Sequence, residues 1–373
     1  MKKRILIPYA TYGNGHKSIA LYIKKYFESS GEYECKTLDL ISCSFPLFGN
    51  VTRKFSSFTM ESFPFLWSIF YKVFDNKLTS YLTGKLSIKM IDNKRLREEI
   101  EEFCPNITIA THFFGADLIN YYNKKSITDS KLVIVVTDYV AHDLWLNSPK
   151  KTDAIIVGSI EERINLLKKG FKNKQIHTTG IPIIQETSNL DKEKLKRKFR
   201  INNNKKTVLF TAGGSNGSLF NLIYFKELLK CNYDCNILFV AGKNKAALKK
   251  ANEYVERYKT KNVRTFGFVT NINEFYYISD MVITKPGGAQ VTECLYFEKP
   301  MLLIKSNGGQ EVGNRHYLCR KGYAKNATGL FTFNRNLREM ITNEKTLDNM
   351  RKKIKKVKQN EAMEKLYNIV EKL

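Results

Sequence analysis

Arg4-Ile5-Leu6-Ile7-Pro8-Tyr9-Ala10, followed at once by Thr11-Tyr12-Gly13-Asn14-Gly15-His16, decides how the rest of the chain is read. An apolar run of one strand's length enters a loop punctuated by glycine. Behind it, His16–Ser29 sets Ile19, Ile23, Tyr26 and Phe27 at helical spacing, as a crossover helix requires. The same strand–loop–helix pattern recurs. Strands are expected at Arg4–Ala10, Thr37–Ile41, Ile107–His112, Leu132–Asp138, Ala154–Gly158 and Gln175–Thr179. A second series is expected at Thr207–Ala212, Asn236–Ala241, Asn262–Phe266, Met281–Thr284 and Met301–Lys305. Runs such as Leu132-Val133-Ile134-Val135-Val136 are continuous rather than alternating, the mark of parallel strands covered on both faces. The expected fold class is therefore α/β, with two Rossmann-like doubly wound sheets.

Gly180-Ile181-Pro182-Ile183 closes the first series, and the charged stretch Asp191–Arg200 and Asn202-Asn203-Asn204 precede the second. The boundary is expected near Gln185, giving an N-terminal domain 1–185 and a C-terminal domain 186–354. A last helix, about 355–373, is expected to pack back on the first domain. At 373 residues the chain suits two domains of ordinary size, and 43% hydrophobic residues with 12% aromatics exclude wholesale disorder.

The 62 Lys and Arg against 36 Asp and Glu give a formal charge of +26, which draws the chain to polyanions or phosphate-bearing ligands. Seven cysteines (35, 43, 104, 231, 235, 294, 319) form no C-x-x-C pair, so reduced thiols are expected and no metal site. No apolar run approaches the ~20 residues of a membrane-crossing helix. The basic start has too short an apolar stretch for a signal peptide. A cytoplasmic protein is expected, peripheral on the inner face of the cell membrane.

Between Phe45 and Tyr81 the alternation breaks: eleven aromatics, among them Phe63, Phe65, Trp67 and Phe70, interleave with Arg53, Lys54, Lys72 and Lys77. Rings at headgroup depth and cations on anionic lipid make this the expected membrane-contact segment. An inward-packed insertion is the competing reading. Stacking on single strands would use similar residues, but no nucleic-acid fold signature accompanies them, and no nucleic-acid partner is expected.

The chemistry is expected in loops at strand ends. Gly13 and Gly15 let a backbone approach a ligand, and His16, in the first turn of a helix, is held toward its neutral form by the helix dipole. Asp138 ends a buried strand, with Tyr139, His142 and Trp145 just beyond it. In the second series Gly213-Gly214-Ser215-Asn216-Gly217 occupies the corresponding place, without the Gly-Lys-Ser/Thr of a Walker loop. Phe268 follows another strand. Lys285-Pro286-Gly287-Gly288 turns into a helix carrying Thr292 and Glu293, and Gln310, Glu311 and Asn314 follow the last expected strand. Loops suited to phosphate, ribose and sugar within one domain describe a nucleotide-sugar site.

In these motifs, taken in order over most of its length, the sequence resembles glycosyltransferases of the B fold. It is most similar to the family of monogalactosyldiacylglycerol synthase and the processive diacylglycerol glucosyltransferases, with the lipid II N-acetylglucosaminyltransferase a more distant relative. The resemblance implies two domains facing a cleft, a UDP-sugar donor (UDP-glucose or UDP-galactose) on the second, and diacylglycerol or a related lipid at an anionic membrane surface reached through the first. It implies inversion in a single displacement, without a cofactor or an obligatory metal. His16 and Asp138 fall at the catalytic positions, and Gly13, Gly15, Tyr139, His142 and Trp145 beside the acceptor. Gly213, Gly214, Ser215 and Asn216 fall at the diphosphate, with Lys285, Gly287 and Gly288 in the second phosphate turn. Phe268 falls by the uracil, Thr292 and Glu293 at the ribose, and Gln310, Glu311 and Asn314 at the sugar. Ala289-Gln290 depart from the Leu-Thr-like pair usual there. Another lipid acceptor, such as an undecaprenyl-linked precursor, stays open.

Overall fold

A computed structural model describes residues 2–11, 14–44, 77–146, 151–184, 187, 190–213, 219–306, 309–357 and 360–373, with the backbone alone at 14, 77–82, 87 and 146. Gly13, Gly214, Ser215, Asn216, Phe63, Phe65, Trp67 and Phe70 lie outside the described residues. The chain gathers into two compact units. One comprises Met1–Ile184, Asn307–Gln310 and Glu361–Leu373, the other Gln185–Ser306 and Glu311–Asn360.

The first unit holds β1 (Lys3–Tyr9), β2 (Tyr33–Asp39), β3 (Ile107–Ala110), β4 (Lys131–Val135), β5 (Ala154–Ile156) and β6 (Ile176–His177). They form one parallel sheet in the order β2-β1-β3-β4-β5-β6. The order reverses at β1, so the crevice between the carboxyl ends of β1 and β3 is the switch point where ligands bind in open α/β sheets. The central strands are buried throughout, as in Ile107-Thr108-Ile109-Ala110. The helix Phe113–Lys124 crosses so near β1 that a Cβ on Gly115 would stand 2.7 Å from Pro8 Cγ. Glycine is what lets that close approach form.

The expected strand at Thr37–Ile41 is corrected to Tyr33–Asp39. Asp39 accepts the amide of Ile41 at 3.3 Å and the Ser42 hydroxyl at 2.9 Å, which starts the short helix Leu40–Ser44 instead of prolonging the strand.

The second unit holds β7 (Thr207–Thr211), β8 (Asn236–Val240), β9 (Val263–Phe266), β10 (Met281–Thr284), β11 (Met301–Ile304) and β12 (Ala324–Ala327). All are parallel, in the order β12-β11-β10-β7-β8-β9. This is the dinucleotide-fold order, with its switch point between β7 and β10. β12 was not among the expected strands. Its sequence, Ala-Lys-Asn-Ala, has no apolar run, and it forms because an edge strand needs only one partner, here β11 in register Met301↔Ala324. The core beneath joins Phe210, Phe225 and Phe239 from one face to Phe333, Leu337 and Met340 of the helix Leu330–Thr342.

Candidate active site

His16 lies in the first turn of the helix Asn14–Ser29, at the β1/β3 switch point. Its Nδ1 is 2.7 Å from the Thr111 carbonyl and 2.9 Å from the Thr137 hydroxyl, and Thr111 Oγ1 donates back to the His16 carbonyl at 3.2 Å. A carbonyl only accepts, so Nδ1 carries the proton and Nε2 presents a lone pair. Burial lowers the His16 pKa to about 4, against the opposing pull of the Thr111 hydrogen bond, so the ring is a neutral base at physiological pH.

A second histidine, which the sequence reading passed over as a strand end, stands beside it. His112 is buried, with its ring edge-on to His16 at 4.7 Å between centroids. As N-cap of Phe113–Lys124 its Nδ1 accepts the Phe114 amide at 3.2 Å, which puts its proton on Nε2. Burial, and then the neighbouring His16, hold its pKa well below the ordinary histidine value. Two adjacent imidazoles thus carry opposite tautomers, one an acceptor and one a donor. The capping pattern His112-Phe113-Phe114 was the signal available in the sequence.

Of the expected acceptor-side residues, Gly15 lies in the first turn with His16. Asp138 is buried immediately after Thr137, whose hydroxyl meets the His16 ring. Trp145 is fully buried, 6.3 Å from His16 and 6.2 Å from His112 between centroids, and its Nε1 has no hydrogen-bond partner among the described residues. Tyr139 packs inward, its ring 3.2 Å from where a Cβ on Gly158 would be. His142 is buried and accepts the Leu144 amide at 3.3 Å. The loop is held from below by Glu162, whose carboxyl takes the Ala141 backbone and the Asn165 amide. Burial raises the Glu162 pKa to about 7.

In the second unit the loops after β7 and β10 are tied at the switch point. Lys285 O accepts from Thr284 Oγ1 (3.2 Å), Thr284 Oγ1 accepts from Thr211 Oγ1 (2.8 Å), and Thr211 Oγ1 accepts from Gln290 Nε2 (2.7 Å). The terminal carbonyl fixes the direction of this relay and hence the Gln290 amide, whose buried Oε1 has no partner among the described residues. Gly213 is left-handed (φ +101°), and a Cβ there would stand 3.1 Å from both Lys285 Cδ and Asn221 Nδ2. Only glycine serves at that position. Asn221 also donates to the Ala212 carbonyl at 2.9 Å, latching the loop's start to the next helix.

Gly287 caps and Gly288 begins the helix Gly288–Tyr296. Lys285 Nζ pairs with Glu311 Oε1 at 2.6 Å, joining this turn to the helix Gln310–Lys321, and buried Asn314 donates to the Pro286 carbonyl at 3.0 Å. Glu293 Oε2 accepts from Tyr276 Oη at 3.0 Å. Thr292 donates its hydroxyl to Gly288 O inside its own helix. Phe268 is half exposed beyond β9, with Lys243 Nζ 5.0 Å over its ring. From β9 to β11 the loops span four strand spacings, roughly 19 Å, enough for a base, a diphosphate and a sugar laid along the carboxyl edge.

Comparison with known proteins follows the same division. Residues 16–183 match the family model of monogalactosyldiacylglycerol (MGDG) synthase, and residues 207–371 that of the glycosyltransferase family 28 C-terminal domain. The processive diacylglycerol β-glucosyltransferase of Bacillus pumilus is 30% identical over 358 residues, 95% of this chain and 90% of that protein. The enzyme of the same name from Bacillus licheniformis is 28% identical over 354 residues, again 95% and 90%. Among solved structures, the UDP complex of S. aureus MnaA aligns with a TM-score of 0.63 at 17% identity, covering 99% of this chain and 96% of that one. Acinetobacter baumannii MurG aligns at 0.62 and 13% over the full length of both. These similarities give the chain the glycosyltransferase B fold, one Rossmann-like sheet to each unit. With a relative 30% identical across nearly the whole length, the chain belongs to the glycosyltransferase family of monogalactosyldiacylglycerol synthase and the processive diacylglycerol β-glucosyltransferases.

Proposed function

We propose that this protein transfers a hexose, glucose in the first instance, from a UDP-sugar to diacylglycerol at an anionic membrane surface, with inversion and without a covalent intermediate. The observation that carries the reading is His16: a neutral imidazole with its proton fixed on Nδ1 and its Nε2 lone pair available. In a single displacement the acceptor hydroxyl attacks the anomeric carbon as the bond to the diphosphate breaks. The hydroxyl's proton passes to His16 Nε2, and the electron pair leaves with UDP. In the second unit the positive helix end at Gly288 and the cation Lys285 suit the charge that grows on the diphosphate. Glu293, next to Tyr276, suits the ribose hydroxyls. The reading calls for no metal there. The names of the Bacillus relatives support glucose and repeated transfer to diacylglycerol. Among the described residues no helix is long and apolar enough to cross a membrane, which accords with work at a surface.

The test is a panel of UDP-glucose, UDP-galactose and UDP-N-acetylglucosamine against diacylglycerol, monoglucosyldiacylglycerol and an undecaprenyl-linked acceptor, each with and without EDTA. Glucosyl transfer to the first two acceptors, unchanged by EDTA, is expected. Turnover confined to the undecaprenyl acceptor would overturn the assignment.

A further inference from the structure

Two helices of the second unit begin side by side at the carboxyl edge of its sheet. Leu222–Lys230 follows β7 and Leu330–Thr342 follows β12. They are packed together: the Tyr224 and Phe333 rings are 5.3 Å apart, and Tyr224 Oη donates to the Thr328 carbonyl at 2.7 Å. Their inner faces fill the core, yet their starts leave Leu219, Phe220, Ile223, Leu330 and Phe331 in water. Phe331 is 78% and Phe220 60% exposed. Single exposed apolar residues need no explanation, but five at one adjoining pair of helix starts do.

Cations border them. Lys226 lies one turn from Ile223 and Arg335 one turn from Phe331. The nearby carboxylates are neutralised, Glu227 by Lys230 at 2.7 Å and Glu339 by Lys325 at 2.7 Å. Apolar side chains with Lys226 and Arg335 one helical turn away, on a chain of charge +26, match the chemistry of an anionic lipid surface and not that of a second, equally cationic copy.

We propose that Leu219, Phe220, Ile223, Leu330 and Phe331 form a bilayer-contact patch on the nucleotide-binding unit, seated on anionic lipid. The choice of occupant rests on the lipid-acceptor reading above. The patch belongs to the unit that holds the donor, so membrane contact is not left to the acceptor unit alone.

The full chain is sedimented with vesicles of 30% phosphatidylglycerol in phosphatidylcholine that contain no diacylglycerol, so the outcome does not depend on turnover. Ile223→Ser with Phe331→Ser should lower partitioning about tenfold. Melting temperature, UDP affinity and sedimentation coefficient should stay unchanged. Added fluorescence in Phe331→Trp should be quenched by brominated lipid, a readout that does not depend on the double variant folding. Undiminished partitioning of a folded double variant, or unquenched fluorescence of bound Phe331→Trp, overturns the proposal. So does a shift from dimer to monomer in the double variant, which would make the patch a self-interface. Failure of the acceptor panel with quenching intact would fault the function and leave the patch standing.

Discussion

A histidine whose Nδ1–H is given to a main-chain carbonyl offers Nε2 as a lone pair until the ring itself is protonated. For His16 that protonation waits until about pH 4, because desolvation at the switch point disfavours the charged ring. The acid limb of kcat/KM is therefore expected between pH 4 and 5, not near 6.5. His16→Ala should lower turnover by roughly 10²- to 10⁴-fold with UDP affinity intact. An acid limb at 6.5 in a pH–rate profile would contradict the neutral ring. The same shift bears on stability. The folded pKa is below the ordinary one, so the unfolded chain takes up the proton first. The stabilisation from a neutral His16 is complete above pH 6.5 and is lost as pH falls toward 4. Of this arrangement, the glycine-flanked His16 was legible from its place after a strand. Thr111 was not, since 95 residues separate it from His16, nor was the role of Thr137 at the ring, because the sequence marks the strand end and not which side chain turns inward.

Elements, too, are held by small polar contacts at their ends. The relay from Gln290 through Thr211 and Thr284 to Lys285 ties the starts of both loops at the β7/β10 switch point. Gln290→Ala cuts it. Loss of the bond to Thr211, ~1 kcal/mol net, should weaken UDP binding roughly fivefold through misplaced loops, and the Gln290 contact with Tyr276 is lost with it. The same change removes an unpartnered buried acceptor, so Tm should fall by less than the ~2–4 °C that 1 kcal/mol costs a unit of this size. Titration calorimetry and a thermal melt check the pair of values, and unaltered UDP affinity would separate the relay from the nucleotide. The departure at Gln290 was visible in the sequence. That its amide crosses to the neighbouring strand was not, because a helix start can aim a long side chain at either flank.

At the scale of the molecule, the chain returns to its first unit after building the second. The helix Ala362–Glu371 lays Tyr367 against Phe27 at 5.1 Å, Tyr33 at 5.6 Å and Tyr26 at 6.0 Å, with its hydroxyl on Glu32. Leu366 and Val370 are fully buried. Deleting residues 360–373 should lower the melting transition of the first unit and leave UDP binding by the second in place. Equal loss of both would mean that the helix belongs to the whole and not to one unit.

The sequence by itself determined the alternation of strands and helices, and it marked the loops at strand ends as candidates to carry phosphate, sugar and a proton. These are local properties, written in the period of apolar residues and the position of glycines. Only the tertiary structure decided that the first sheet runs β2-β1-β3-β4-β5-β6 and the second β12-β11-β10-β7-β8-β9, that β12 exists, and that His16 and His112 carry opposite tautomers. Strand order, edge pairing and a histidine's proton depend on which distant groups pack together. That choice is made by burial across the whole unit, which no short stretch of sequence contains.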